Sequence, residues 1–110
     1  MKQYLIDELR PGDYEKLKAY MDMTFGAAKL DGVYRILLEE HLLSDVQRQH
    51  SECAPFYLSV ELLSDHIACE LLVRAENKIR CNCIAYATTE QRNHFIALID
   101  TIFEKLEIIT

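Results

Sequence analysis

Residues 56–87, which read FYLSVELLSDHIACELLVRAENKIRCNCIAYA, decide the fold of this chain. Apolar and polar side chains alternate in three segments of this stretch, and short polar breaks near residues 64–66 and 75–78 separate the segments. A period of two is typical of β-strands, and short turns between such strands predict an antiparallel meander. We expect the even residues up to 62 and the odd residues from 67 onward to face the core, because these positions are the more apolar ones.

Helical patterns flank this stretch on both sides. Residues 13–25 carry apolar side chains at helical spacing, and Asp13 is placed to act as the N-cap. Residues 89–106 carry a second, wider apolar stripe, and Thr88 with Gln91 forms a capping-box pattern in front of it. The sequence therefore predicts one helix near each end of the chain.

Two further elements are predicted between the first helix and the meander. Residues 33–38 are rich in strand-forming side chains and follow a turn signal at Asp31 and Gly32, which indicates a fourth strand. Ser44 with Gln47 forms another capping-box pattern, which predicts a short helix over residues 45–52. This short helix has little apolar surface, so we expect it on the outside of the protein.

Length and composition agree with one folded unit. The chain has 110 residues, of which 50% are hydrophobic and 27% are charged, as is usual for a globular domain. We predict a single α+β domain over residues 1–110. Its antiparallel β-sheet has about four strands, the three-strand meander plus one, and the N-terminal and long C-terminal helices pack on one face.

The charge balance excludes several classes of partner. Lys and Arg number 12 against 18 Asp and Glu, which gives a net charge of −6. Binding to nucleic acid requires a basic stripe and binding to a membrane surface a basic patch, yet the basic residues here are scattered. The N-terminal residues lack the apolar segment of a signal peptide. We therefore expect a cytoplasmic protein with reduced thiols and with no nucleic-acid or membrane partner.

The sheet face that the helices leave open is unusually apolar. Large aromatic and aliphatic side chains alternate there with charged ones, a mixture that suits a protein interface. Our leading hypothesis is a non-enzymatic protein-interaction module that self-associates through this face, without a cofactor. The alternatives are that the chain covers these side chains itself or that a different protein binds them. The candidate interface residues are Tyr57, Leu63, Leu72, Arg74, Ile84 and Tyr86.

A second hypothesis, from a different class, is a small metal- or thiol-based protein. His50 and Cys53 have the spacing of metal ligands, and Cys81 with Cys83 would complete a set of four. Two observations count against this set. Cys81 and Cys83 lie in the predicted third strand, where a Cys-x-Cys pair is a poor chelate, and buried cysteines often only fill space in a core.

Other chemistry has weaker support. The predicted register would place Cys69 opposite Cys83, and His50 with Cys53 is the best candidate for an activated nucleophile. Glu61 and Glu70 could form a carboxylate pair, although neighbouring arginines make surface ion pairs the simpler interpretation. Three glycines in all exclude a glycine-rich phosphate loop. The sequence does not name a small-molecule ligand, and we do not expect an enzyme.

Overall fold

A computed structural model describes residues 1–26 and 32–110 of the chain. Within these residues, six strands and three α-helices form an α+β structure, so the predicted class is confirmed, with six strands in place of about four. The strands are β1 Gln3–Ile6, β2 Val33–Leu37, β3 Phe56–Leu62, β4 Ile67–Glu70, β5 Leu72–Ala75 and β6 Ala85–Tyr86. The helices are α1 Pro11–Phe25, α2 Asp45–Gln49 and α3 Thr89–Lys105, and short 3₁₀ turns span Glu40–Leu42 and Ser51–Cys53.

Strand β3 lies at the centre of an antiparallel sheet. Strand β2 pairs along one side of β3, and β4 and β5 pair one after the other along its other side. Strand β1 then pairs with β4, and β6 pairs with β5. Leu71 lies between β4 and β5. Its N–H donates to the carbonyl of Lys2, just before β1, and its carbonyl accepts from the N–H of Ala87, just after β6. The predicted second meander strand is therefore one line of chain that is interrupted at Leu71.

The core lies between one face of this sheet and the helices α1 and α3. The alternation over residues 56–73 has the predicted orientation, since Val60 is buried while Glu61 is exposed. Side chains at matching positions of β2 and β4 join the same face through the strand register. The largest of the fully buried side chains are Phe56, Leu58 and Ile67 from the sheet, Leu17 and Met21 from α1, and Phe95, Ile99 and Ile102 from α3.

The predicted third meander strand is wrong over most of its length. Only Ala85–Tyr86 pairs as a strand, and residues 79–84 form bends and turns. Ile79, expected in the core, is 93% exposed. The physical reason is a competing set of backbone bonds, because the Glu76 N–H donates to the Pro55 carbonyl and the Asn77 N–H donates to the Cys53 carbonyl. Asparagine favours turns, and residues 75–78 contain no aromatic or β-branched side chain that would favour a strand instead.

The helix ends show which local signals the sequence carries. Both capping boxes are confirmed, since Ser44 and Thr88 each accept the backbone N–H three residues on. Asp13, however, is not the N-cap, because α1 begins two residues earlier at Pro11. Proline suits the first helical position, and the Asp13 carboxylate instead accepts the Arg10 backbone N–H at 3.1 Å.

Two smaller predictions in the middle of the chain have mixed outcomes. The helix expected over residues 45–52 ends at Gln49 and continues as the 3₁₀ turn Ser51–Cys53. The turn expected at Asp31 and Gly32 lies partly outside the described residues. Gly32 itself has a φ of 76°, and a Cβ there would lie 2.8 Å from the Leu62 carbonyl oxygen. A side chain at this position would therefore disturb the start of β2.

Candidate metal centre

The first half of the candidate site is the 3₁₀ turn that follows α2. The Cys53 N–H donates to the His50 carbonyl at 2.9 Å, which closes a single turn of chain. Side chains three residues apart in a 3₁₀ turn lie above one another. The turn therefore presents the His50 imidazole and the Cys53 thiol on the same side.

The second half is a turn in the segment that was expected to be a strand. The Ile84 N–H donates to the Cys81 carbonyl at 3.0 Å, so Cys81 and Cys83 share one tight turn. The Asn77 side-chain amide donates to the Ala54 carbonyl at 2.7 Å and holds this segment against the first turn. The objection that Cys81 and Cys83 sit on a strand is therefore wrong, because turns are where structural zinc sites carry their cysteines.

The two turns bring four potential ligands together. The ligand atoms of His50, Cys53, Cys81 and Cys83 all lie within 4.8 Å of one another. The His50 Nδ1 is 3.2 Å from the Cys81 Sγ, and the Cys53 Sγ is 4.0 Å from the Cys81 Sγ. Zinc–sulfur bonds of about 2.3 Å in a tetrahedron place ligand atoms about 3.3–3.8 Å apart. Small side-chain shifts suffice to reach that geometry.

The electrostatics of the three thiols differ. Burial raises the pKa of the Cys53 thiol and raises the pKa of Cys83 to about 12. The pKa of the partly exposed Cys81 is lowered to about 7, first by a hydrogen bond from the backbone N–H of Cys83 and then by bonds from the Cys83 thiol and His50. Cys81 is therefore the thiol that ionises most easily. A bound divalent metal would displace the protons of the other two.

A buried hydrogen-bond network supports the cysteine turn. The Gln91 side-chain amide donates to the Leu42 carbonyl at 2.8 Å and to the Gln47 side-chain oxygen at 2.9 Å. The Gln47 amide in turn reaches the Cys83 carbonyl at 3.5 Å. Both glutamines are almost fully buried. The capping boxes were visible in the sequence, but nothing local indicated that their glutamines bond to each other.

The remaining cysteine lies elsewhere. The register of the first predicted hairpin is confirmed, because the Leu63 N–H donates to the His66 carbonyl and Cys69 pairs with Val60. Cys69 pairs with Tyr4 on its other side and not with Cys83, so the predicted Cys69–Cys83 pairing is wrong. Burial raises the pKa of the Cys69 thiol to about 12. His50, the candidate base for Cys53, has its Nδ1 3.2 Å from the Cys81 Sγ instead. Cys69 is therefore a core residue and serves as an internal control for the other three cysteines.

Four of the six candidate interface residues are neighbours on the open sheet face, because Tyr57 pairs with Arg74, and Leu72, two residues before Arg74 on β5, pairs with Tyr86. Tyr57 is buried beneath the Arg35 guanidinium, which lies 4.5 Å from its ring centre and is paired with Glu76. Arg74 pairs with Glu70 at 2.7 Å. Ile84 packs against the hydrophobic core, and Leu63 lies just beyond the end of β3. The chain thus covers part of this set itself.

Leu72 and Tyr86 form the outer end of this group of neighbours. They are paired neighbours on β5 and β6, on the sheet face opposite the helices. Tyr86 is 42% exposed, and the Lys2 ammonium lies 5.1 Å from its ring centre. These two side chains remain available to a partner.

Comparison with models of known protein families, with curated proteins and with solved structures finds no match to this chain. In the described parts of the chain, no helix has both the length and the apolar character needed to span a membrane.

Proposed function

We propose that the protein binds one zinc ion through His50, Cys53, Cys81 and Cys83. The observation that carries this proposal is the convergence of four ligand atoms from two turns that lie about thirty residues apart in sequence. Three thiolates and one imidazole form a donor set that zinc favours. Because the protein supplies all four ligands, no coordination position is left for a substrate. The proposed centre is therefore structural.

The proposed role of the ion is to hold an exposed loop. Residues 76–84 leave the sheet after β5. Ile79, near the middle of this loop, is 93% exposed and packs against nothing in the core. Zinc would tie the loop to the turn after α2, in addition to the backbone bonds already present. A reducing compartment such as the cytoplasm keeps the thiols available for the metal.

Metal content tests the proposal directly. Protein purified without added metal should contain about one zinc per chain by elemental analysis. Cys81→Ser and His50→Ala should each lose most of the zinc, because each removes one of four ligands. Cys69→Ser removes a cysteine outside the cluster and should keep the full content. A zinc-free wild-type protein that takes up no zinc in a titration would contradict the proposal.

Thiol alkylation separates metal binding from thiol chemistry. In the zinc-loaded protein, iodoacetamide should modify Cys53, Cys81 and Cys83 slowly. After removal of zinc, Cys81 should react fastest of the three, because its thiol has the lowest pKa. If Cys81 reacts equally fast with and without zinc, the cluster acts through its thiols and not as a metal centre.

Self-association through the open sheet face is the second candidate function. It is favoured by the neighbouring Leu72 and Tyr86, which no described helix covers. Light scattering should then give a mass near twice 12.8 kDa, and Tyr86→Glu or Leu72→Glu should reduce it to that of the monomer. Met23→Glu, at an exposed position on α1, is the matched control and should leave the mass unchanged. A monomeric wild-type protein would rule this function out.

A further inference from the structure

Strand β2 ends the sheet on one side of β3 in the described part of the chain, and the backbone groups of its outer edge have no partner there. Within residues 1–26 and 32–110, β2 pairs with β3 alone. The Leu38 N–H donates to the Phe56 carbonyl and the Gly32 carbonyl accepts from the Leu62 N–H, so the even positions of this segment bond to β3. In an antiparallel pair the intervening residues point their N–H and C=O groups the other way. Val33, Arg35 and Leu37 therefore direct theirs away from the sheet.

An apolar cavity of about 420 Å³ runs along this edge. Residues 35–39 form one wall, and residues from the end of α1, the turn Glu40–Leu42 and α3 form the others. The apolar side chains that line it include Phe25, Leu38, Leu42, Phe95 and Leu98. A strand added to β2 would send every second side chain over this cavity, because successive side chains alternate between the two faces of a sheet.

The edge has few of the features that usually prevent strand addition, namely its length of five residues and one charged side chain, Arg35, which is paired with Glu76. Natural edge strands carry lysine, proline or bulges that block pairing with another chain. The sequence of β2, VYRIL, has no lysine, proline or glycine, and Leu37 is 60% exposed. A free edge beside an apolar cavity is the arrangement that domains use to bind an extended peptide.

The charges at one end of the edge indicate the polarity of the bound segment. Glu39 and Glu40 lie just beyond Leu38, which follows β2, and both are exposed. The Glu39 carboxylate lies 3.4 Å from the His41 Nδ1, whereas no ion pair involves Glu40 within the described residues. The one cation on β2, Arg35, is already paired with Glu76. An antiparallel peptide would pass these glutamates at its N-terminal end, where Lys or Arg would complement them.

We propose that β2 and this cavity bind an extended segment of another protein as an additional antiparallel strand. The segment carries large apolar side chains at positions i and i+2 and a basic residue at its N-terminal end. A second copy of this chain fits less well, because it would bring a further net charge of −6, and a five-residue strand buries much less than the roughly 1,200 Å² typical of stable protein interfaces. The proposal is independent of the metal centre.

A labelled peptide of sequence Lys-Lys-Thr-Leu-Thr-Leu-Thr tests the proposal by fluorescence anisotropy. The wild-type protein should bind it, and Leu37→Pro should weaken binding by about tenfold or more, because proline removes an outward N–H without removing a bond to β3. Leu37→Ala removes the same side chain but keeps that N–H, so it should weaken binding much less than Leu37→Pro does, and the difference between the two variants measures the lost backbone bond. Glu39→Lys should also weaken binding, and this effect should shrink at high salt.

The peptide itself provides a second test that does not depend on the folding of a variant. Methylating the backbone nitrogens that face β2 should abolish binding, whereas methylating the alternate nitrogens should leave it unchanged. No binding to the wild-type protein, or equal binding of the two methylated peptides, would overturn the proposal. A concentration-dependent dimer that Leu37→Pro dissociates would overturn it too, because the occupant would then be a second copy.

Discussion

Removing zinc with a chelator should lower the melting temperature of the wild-type protein by about 15 °C. A ligand that binds only the folded state at a thousandfold excess over its Kd adds about 4 kcal/mol of stability. For a domain of roughly one hundred residues, each kcal/mol corresponds to about 4 °C or more. The unfolded chain separates His50 and Cys53 from Cys81 and Cys83, so it binds zinc weakly and the full stabilisation belongs to the folded state.

Two variants show whether this shift comes from the proposed centre. Cys53→Ser should melt at the same low temperature with and without chelator, because it cannot hold the ion. Cys69→Ser replaces another buried cysteine and should respond to the chelator as the wild-type protein does. A chelator shift of equal size in Cys53→Ser and wild type would show that any metal binds elsewhere. Differential scanning calorimetry measures all of these temperatures.

Gln91→Leu should lower the free energy of unfolding by about 3 kcal/mol. The substitution keeps the approximate size of the side chain but removes the amide that donates to the Leu42 carbonyl and the Gln47 side chain. It also removes the oxygen that accepts the Thr88 N–H. Each buried polar group left without a partner costs about 1–3 kcal/mol. Urea denaturation of the zinc-loaded protein measures the change.

Gln49→Leu is the matched control for this effect. Gln49 is an exposed glutamine at the end of α2, so its replacement should change stability by less than about 0.5 kcal/mol. Gln91→Leu should also weaken zinc binding by about tenfold, because Gln47 would lose its partner and hold the Cys83 carbonyl less well. Equal stability of the Gln91→Leu and Gln49→Leu variants would mean that the buried network contributes nothing.

The hairpin of β3 with β4 and β5, and both capping boxes, could be read from short stretches of sequence. The orientation of Val60 and Glu61 follows from alternation alone, because an even period leaves each side chain only one of two faces. The caps at Ser44 and Thr88 involve residues three positions apart, so every participating group lies within one turn of chain. Such local contacts need no knowledge of the remaining fold. The spacing of His50 and Cys53 belongs to the same category.

The path of residues 79–84 and the assembly of the four metal ligands depended on contacts between distant parts of the chain. The alternation there resembles a strand, but hydrogen bonds to the backbone at Cys53 and Pro55 redirect the segment into turns. The same bonds bring Cys81 and Cys83 to His50, a proximity that no pattern within either segment encodes. The free edge of β2 has the same origin, because strand order is chosen by the packing of the whole sheet against α1 and α3. Local patterns set which face a residue prefers, whereas only the closed core determines which segments become neighbours.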